Sequence, residues 1–142
     1  MTKRMSDDEV RDFLTAGTRT GKLATVRADG SPHVVPIWFV LDGDDLVFNT
    51  GADTVKGKAM ARDPRVMICV DEEIAPFAYV TVRGTATLGT DLDEMLVWAT
   101  RIAERYMGAE LAGSYGRRNA VEGELLVRVR MERVQGFTGI AS

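Results

Sequence analysis

A run of β-rich segments near the N-terminus constrains the fold most: GKLATVRADGSPHVVPIWFVLDGDDLVFNTG, residues 21–51. Three apolar segments in this run are separated by ADGSP and DGDD, and both separators contain the Asp-Gly pair that favours tight turns. Strands that are joined by tight turns pair antiparallel with their neighbours. The run therefore predicts an antiparallel meander of three strands.

Three later segments also have strand character, namely RVMICVDE, FAYVTVRGTATLG and ELLVRVRMERVQGF. Helices are predicted between the strands: capping-box spacing begins one at Ser6 and another at Asp91, and a short helix after residue 52 ends before Pro64. The glycine-rich segment 108–123 is expected to be a mobile loop. Six strands with interspersed helices predict a mainly β protein with helices (α+β), folded as a small antiparallel barrel with the helices outside.

Size and charge limit the classes of function. A chain of 142 residues with 45% hydrophobic residues can bury one core, so we expect a single domain over residues 1–142. The net charge of −3 and the lack of a basic stripe argue against nucleic-acid binding. No stretch of about 18 apolar residues and no apolar leader is present, so we expect no membrane span and a cytoplasmic location.

Few side chains could hold a metal or transfer protons. His33 is the single histidine and Cys69 the single cysteine, and no second ligand accompanies either at metal-binding spacing, so no metal site is expected. Acidic pairs such as Asp7-Asp8 fall at predicted turns or helix starts, where solvated caps are common. The sequence therefore identifies no catalytic residue. An enzyme with this sequence would take its reactivity from a cofactor.

The segment NTGADTVKGKAMARDPR, residues 49–65, has the features of an anion site. A strand leads through a glycine into a helix, whose N-terminus presents unpaired N–H groups and the positive end of the helix dipole. Hydroxyls of Thr50 and Thr54 add donors, and Lys56 and Lys58 add positive charge. The alternative is a solvated basic face, because residues two apart do not share one face of a helix. Spacing alone leaves both interpretations open.

The order and spacing of three segments, GKLATVRADGSPHVVPIWF, KGKAMARDPRVMICV and YVTVRGTATL, resemble a known family. It comprises the split β-barrel flavin and deazaflavin oxidoreductases related to pyridoxamine 5'-phosphate oxidase, especially the actinobacterial branch that binds coenzyme F420. The resemblance implies a six-stranded antiparallel split β-barrel of the FMN-binding type, and a homodimer with the cofactor at the subunit interface. The chain ends at VQGFTGIAS, without the substrate-binding arginine segment of the true oxidases, which favours an F420-dependent reductase.

The resemblance also implies where the cofactor binds. Residues 35–38 would lie along its ring system, residues 48–50 would line the same pocket, Lys56 and Lys58 would hold its phosphate, and residues 77–80 would contribute from a neighbouring surface. Lys22, Arg62 and Arg65 are candidate partners for the acidic oligoglutamate tail of the deazaflavin. The full implied set is Val35, Pro36, Ile37, Trp38, Phe48, Asn49, Thr50, Thr54, Val55, Lys56, Lys58, Phe77, Ala78, Tyr79 and Val80.

Strand alternation separates the aromatic residues. Pro36 and Trp38 would share one face of the second strand, and Ile37 and Phe39 the other, so only one set can line a pocket. Trp98 falls on the apolar face of a predicted helix, where core or dimer packing is expected.

Three functional hypotheses follow. The first is a homodimeric reductase that passes hydride from reduced F420 to an electron-poor C=C or C=N bond of a small organic substrate, with solvent or Tyr79 as the proton source. The second is an FMN-dependent oxidoreductase of the same fold. The third is a non-catalytic protein that binds a flavin, a deazaflavin or a tetrapyrrole.

Overall fold

The computed structural model describes residues 1–142 and contains one antiparallel sheet of eight strands with four helices. The strands are β1 (Lys3–Arg4), β2 (Gly21–Val26), β3 (Pro32–Ile37), β4 (Val40–Asp42), β5 (Asp45–Gly51), β6 (Arg65–Glu72), β7 (Ala78–Gly89) and β8 (Glu124–Thr138). The helices are α1 (Asp7–Thr15), α2 (Val55–Arg62), α3 (Leu92–Met107) and α4 (Ala109–Asn119). The strands are ordered β3-β2-β6-β7-β8-β5-β4, and β1 pairs with β8.

The architecture confirms the predicted fold class, a mainly β antiparallel barrel with helices. Two short strands account for the difference between six and eight. The first is β1, which pairs with the end of β8 at Phe137 and Thr138. The second is β4, which is separated from β3 because the chain leaves strand geometry at Trp38 and Phe39.

The barrel interior is the main core, and a smaller one lies outside it under α3. Leu46 and Phe48 of β5 point into the barrel and are fully buried. Val47, between them, points the other way and packs with Trp98, which is 8% exposed. Strand β5 is therefore covered on both faces, and Trp98 has the packing role that the helix pattern predicted.

Helix starts follow the sequence closely. Ser6 and Glu9 form a reciprocal capping box at α1. Asp91 caps α3, but the Glu94 carboxylate accepts a hydrogen bond from Arg128 at 2.9 Å instead of completing a second box. None of the four helices has the length and apolarity that crossing a membrane requires.

The prediction of a mobile loop over residues 108–123 is wrong, because most of this segment is α4. Gly108 and Gly123, both with φ of +92°, flank the helix. Gly116 lies within α4 and is buried against α3, where an added Cβ would overlap the Thr100 hydroxyl. The glycines thus serve to turn the chain and to let two helices approach closely.

Candidate functional site

A cavity of about 300 Å³ lies between the end of β3, the start of α2 and the inner side of α3. Six of the predicted cofactor-binding residues line it: Pro36, Ile37, Trp38, Asn49, Thr50 and Lys56. Five residues that the sequence did not single out complete its walls: Ala99, Ile102, Ala103, Asn119 and Glu124. The fold therefore brings the β3 and α2 portions of the predicted site together.

One end of the cavity is apolar and rigidly supported. The Trp38 indole stacks on the Tyr106 ring with 5.0 Å between centroids and 3° between planes. The Tyr106 hydroxyl donates to Arg19 O at 2.8 Å and accepts from Phe39 N at 3.3 Å, and burial raises the pKa of this phenol. Arg105, also on α3, donates to Phe39 O at 2.7 Å. Helix α3 thereby holds the chain in place where β3 ends.

The predicted alternation of buried and exposed side chains is confirmed, but the expectation that only one set lines a pocket is wrong, because Ile37 lines the cavity together with Pro36 and Trp38. Ile37 and Phe39 are buried in the barrel core, whereas Pro36 and Trp38 are exposed on the opposite face. Trp38 thus presents its indole to the cavity.

At the other end, the start of α2 is organised by threonine hydroxyls. Thr54 is the N-cap: its Oγ1 accepts from Gly57 N at 3.0 Å and donates to Gly51 O at 2.7 Å. The Thr50 hydroxyl lies 3.3 Å from the Thr54 hydroxyl. The Thr54 proton is used within the chain, so this side chain positions the helix and does not offer a free donor to a ligand.

The two charged residues of the cavity are Lys56 and Glu124. No carboxylate oxygen lies within 4.0 Å of the Lys56 ammonium, so this half-buried cation has no ion-pair partner. Burial lowers the pKa of Lys56, with Glu124 opposing the shift. Burial raises the pKa of Glu124, with Lys56 opposing that shift. For each group, the effect of burial on the pKa is larger than the opposing effect of the partner's charge.

Several predicted residues near the cavity do not line it. Lys58 is exposed on another side of α2, and Val55, the first residue of that helix, is exposed as well. Val35 is half-buried on the inward face of β3. Of the two lysines that were candidates for the phosphate, only Lys56 reaches this cavity.

The other predicted residues lie in the core or at a separate cleft. Phe48 and Val80 are fully buried in the barrel, so their side chains offer no surface to a ligand. Phe77, Ala78 and Tyr79 line a separate cleft with Ile140. Within one chain, none of residues 77–80 lines the cavity that contains Lys56.

The candidate cations for an acidic tail all have partners within the chain. Lys22 pairs with Asp71 at 2.8 Å, and Arg65 pairs with Asp63 at 2.7 Å. Arg62 donates to the backbone oxygen of Val26 at 3.0 Å.

The cavity residues that sequence reasoning missed come from distant parts of the chain. Asn49 Nδ2 donates to Asn119 O at 3.2 Å, which joins β5 to the end of α4. Ala99 and Ala103 are small residues spaced four apart on α3, a weak signal of a helix face that borders a space. No local motif marks Glu124.

The sequence matches a protein-family model. The model described as pyridoxamine 5'-phosphate oxidase matches residues 6–137. The chain belongs to this pyridoxamine 5'-phosphate oxidase family. Its barrel confirms the split β-barrel fold that the sequence resemblance implied.

The chain is also similar to three individual proteins. An F420H2-dependent biliverdin reductase of Mycobacterium tuberculosis is 30% identical over 105 residues, which are 74% of each protein. A conserved hypothetical protein of Mycobacterium tuberculosis has a structure with a TM-score of 0.83 and 25% identity, covering 95% of this chain and 86% of that one. A structure named F420 reductase has a TM-score of 0.72 and 26% identity, covering 87% and 94%.

Proposed function

We propose that the protein is an F420-dependent reductase that transfers hydride from the reduced deazaflavin to an electron-poor C=C or C=N bond of a small organic substrate. Similarity to an F420H2-dependent biliverdin reductase and to an F420 reductase supports the cofactor. The structural observation that carries the proposal is Lys56, a half-buried cation without an ion-pair partner in a cavity that also contains an indole.

The cavity residues fit such a cofactor. Trp38 and Pro36 offer apolar surface to a ring system, and Lys56 offers a charge-assisted hydrogen bond to a phosphate. A bound deazaflavin would supply the hydride chemistry. The residues of the chain would bind and orient it, and the Trp38–Tyr106 stack would limit movement of the wall beside the ring. Tyr79 does not line this cavity, so we propose solvent as the proton source.

We further propose that the working unit is a homodimer. A volume of about 300 Å³ is at the lower end for a drug-sized ligand, and this site would also have to admit a substrate. The outer face of the sheet carries exposed apolar residues on paired strands: Val34, which is 59% exposed, and Met67, which is 42% exposed, flank Ala24. A second copy packed on this face would extend the site.

The test is a parallel titration of the purified apo-protein with F420 and FMN, followed by oxidation of reduced F420 with biliverdin and other electron-poor acceptors. We expect F420 to bind with a Kd of about 1 μM, near −8 kcal/mol, and FMN to bind more weakly. Tight FMN binding without F420 binding would favour the second candidate, an FMN-dependent oxidoreductase of the same family. Cofactor binding without turnover of any acceptor would favour a carrier.

A further inference from the structure

Glu124 is the single carboxylate in the cavity wall. It is the first residue of β8 and pairs in register with Gly51 at the end of β5. Its Oε2 lies 3.3 Å from the position that a Cβ on Gly51 would occupy, so the carboxylate lies over Gly51. The Gly51 carbonyl accepts the Thr54 hydroxyl of the α2 cap. The Glu124 carboxylate therefore lies beside the segment that leads into α2.

Lys56 and Glu124 face the same space without closing it. Their charges are opposite, yet they do not form an ion pair within 4.0 Å, and neither side chain makes a hydrogen bond. Burial lowers the pKa of Lys56 and raises the pKa of Glu124, and in each case it outweighs the opposing effect of the partner's charge. The gap between them is thus open to a ligand group, which would meet one positive and one negative charge.

A phosphate beside Lys56 would gain from the ammonium and lose from the carboxylate. The loss grows with the charge of the phosphate, because Coulomb repulsion is proportional to that charge. A phosphomonoester such as that of FMN carries close to two negative charges at neutral pH. The phosphodiester of F420 carries one. The carboxylate would therefore repel the monoester about twice as strongly as the diester.

We propose that Glu124 is a charge-selecting residue, which weakens the binding of phosphomonoesters at Lys56 and so favours the phosphodiester of a deazaflavin over the monoester of FMN. This inference rests on the proposed function in one respect, that Lys56 faces the cofactor phosphate. Asn49, Thr50 and Asn119 are the uncharged polar residues nearby, and no other charged residue lines the cavity. Glu124 alone thus opposes an anion there.

The experiment compares FMN with riboflavin, which lacks the phosphate, on the wild-type chain and on Glu124→Gln. Glutamine keeps the shape of the side chain and removes its charge. We expect Glu124→Gln to tighten FMN binding about 10-fold, to tighten F420 binding about 3-fold, and to leave riboflavin binding unchanged. Glu122→Gln, at an exposed position in the preceding turn, is the matched control and should bind all three ligands as the wild type does.

The outcomes separate the two proposals. An unchanged or lower FMN-to-riboflavin affinity ratio in Glu124→Gln, in a protein whose thermal melt is normal, overturns the charge-selecting role. If F420 binds to none of the proteins while FMN shows the Glu124-dependent gain, the F420 assignment fails and the role of Glu124 stands. If F420 binds and is turned over but Glu124→Gln tightens the binding of neither FMN nor F420, the role of Glu124 fails and the F420 assignment stands.

Discussion

At the residue scale, Lys56 and Lys58 are two positions apart on α2 and have different surroundings. Lys56 is half-buried in the cavity, whereas Lys58 is exposed outside it. We expect Lys56→Ala to weaken cofactor binding by about 1.5–3 kcal/mol, roughly 10- to 150-fold in Kd, because it removes a charge-assisted hydrogen bond. Lys58→Ala should change Kd less than about 2-fold. Isothermal titration with F420 would measure both.

A fragment of the cofactor without phosphate is the control for this comparison. Its affinity should be the same for the wild type and both lysine variants. An equal loss for the two variants, or a loss that persists with the fragment, would mean that the lysines act through general surface charge and that the cavity is not the phosphate site.

The buried carboxyl of Glu124 predicts a pH dependence of stability. Burial raises its pKa in the folded protein above the usual 4.5. The folded state therefore holds this proton more tightly than the unfolded state does. The resulting contribution to stability is present at low pH and is lost as the pH rises through the raised pKa of Glu124. We expect the free energy of unfolding of the wild type, relative to that of Glu124→Gln, to fall as the pH rises from below 4.5 through the raised pKa of Glu124.

Urea denaturation at several pH values would measure this difference, with Glu122→Gln as the exposed control. The difference in free energy of unfolding between the wild type and Glu124→Gln could instead stay constant with pH, or shift in favour of the wild type as the pH rises. Either result would contradict the burial of this carboxylate.

Residues of the candidate site differ in how far the sequence could predict them. Trp38 and Lys56 lie in segments whose local pattern is informative: strand alternation for one and a helix start for the other. Glu124 lies far along the chain from Lys56, and only the pairing of β5 with β8 brings it to the cavity. Such long-range juxtapositions have no local signature, because strand order is decided by packing of the whole barrel.

At the scale of elements, capping chemistry was the reliable signal and glycine content the misleading one. Ser6 and Asp91 each cap a helix through the side chain, as residue type and spacing predicted. Thr54 also caps a helix, whereas the sequence suggested only that its hydroxyl would donate to an anion. The glycines of residues 108–123 suggested a loop because glycine lowers helix propensity. Tertiary contact outweighs that propensity at Gly116, where a side chain would collide with α3.

Two alanine substitutions in α4 test this explanation. An added Cβ at Gly116 would overlap Thr100 on α3, whereas at Gly113 its nearest neighbour is the flexible Arg117 guanidinium at 3.3 Å. We expect Gly116→Ala to destabilise the protein by about 1–3 kcal/mol through overpacking. Gly113→Ala should be neutral or stabilise it by up to about 1 kcal/mol through helix propensity.

Urea unfolding monitored by tryptophan fluorescence would measure both variants, since Trp98 reports on α3 packing. If both substitutions were neutral, the segment would be loosely attached in solution, and the α4 wall of the cavity would not be a fixed part of the site.

At the scale of the whole molecule, the outer face of β3-β2-β6 predicts self-association. Val34 and Met67 expose apolar side chains on either side of Ala24, where a soluble monomer would carry polar residues. We expect a homodimer at low micromolar concentration in sedimentation velocity. Val34→Glu or Met67→Glu would bury a charge in that interface and should shift the protein to monomer, with dimer affinity lowered about 100-fold or more.

Leu111→Glu is the matched control, because Leu111 is 43% exposed on α4, a helix that packs mainly against α3. It should leave the dimer intact. If a second copy completes the cofactor site, Val34→Glu should lose F420 affinity together with dimerisation, although neither Val34 nor Met67 lines the cavity. A wild type that sediments only as a monomer while F420 stays bound would contradict both the dimer and a site shared between copies.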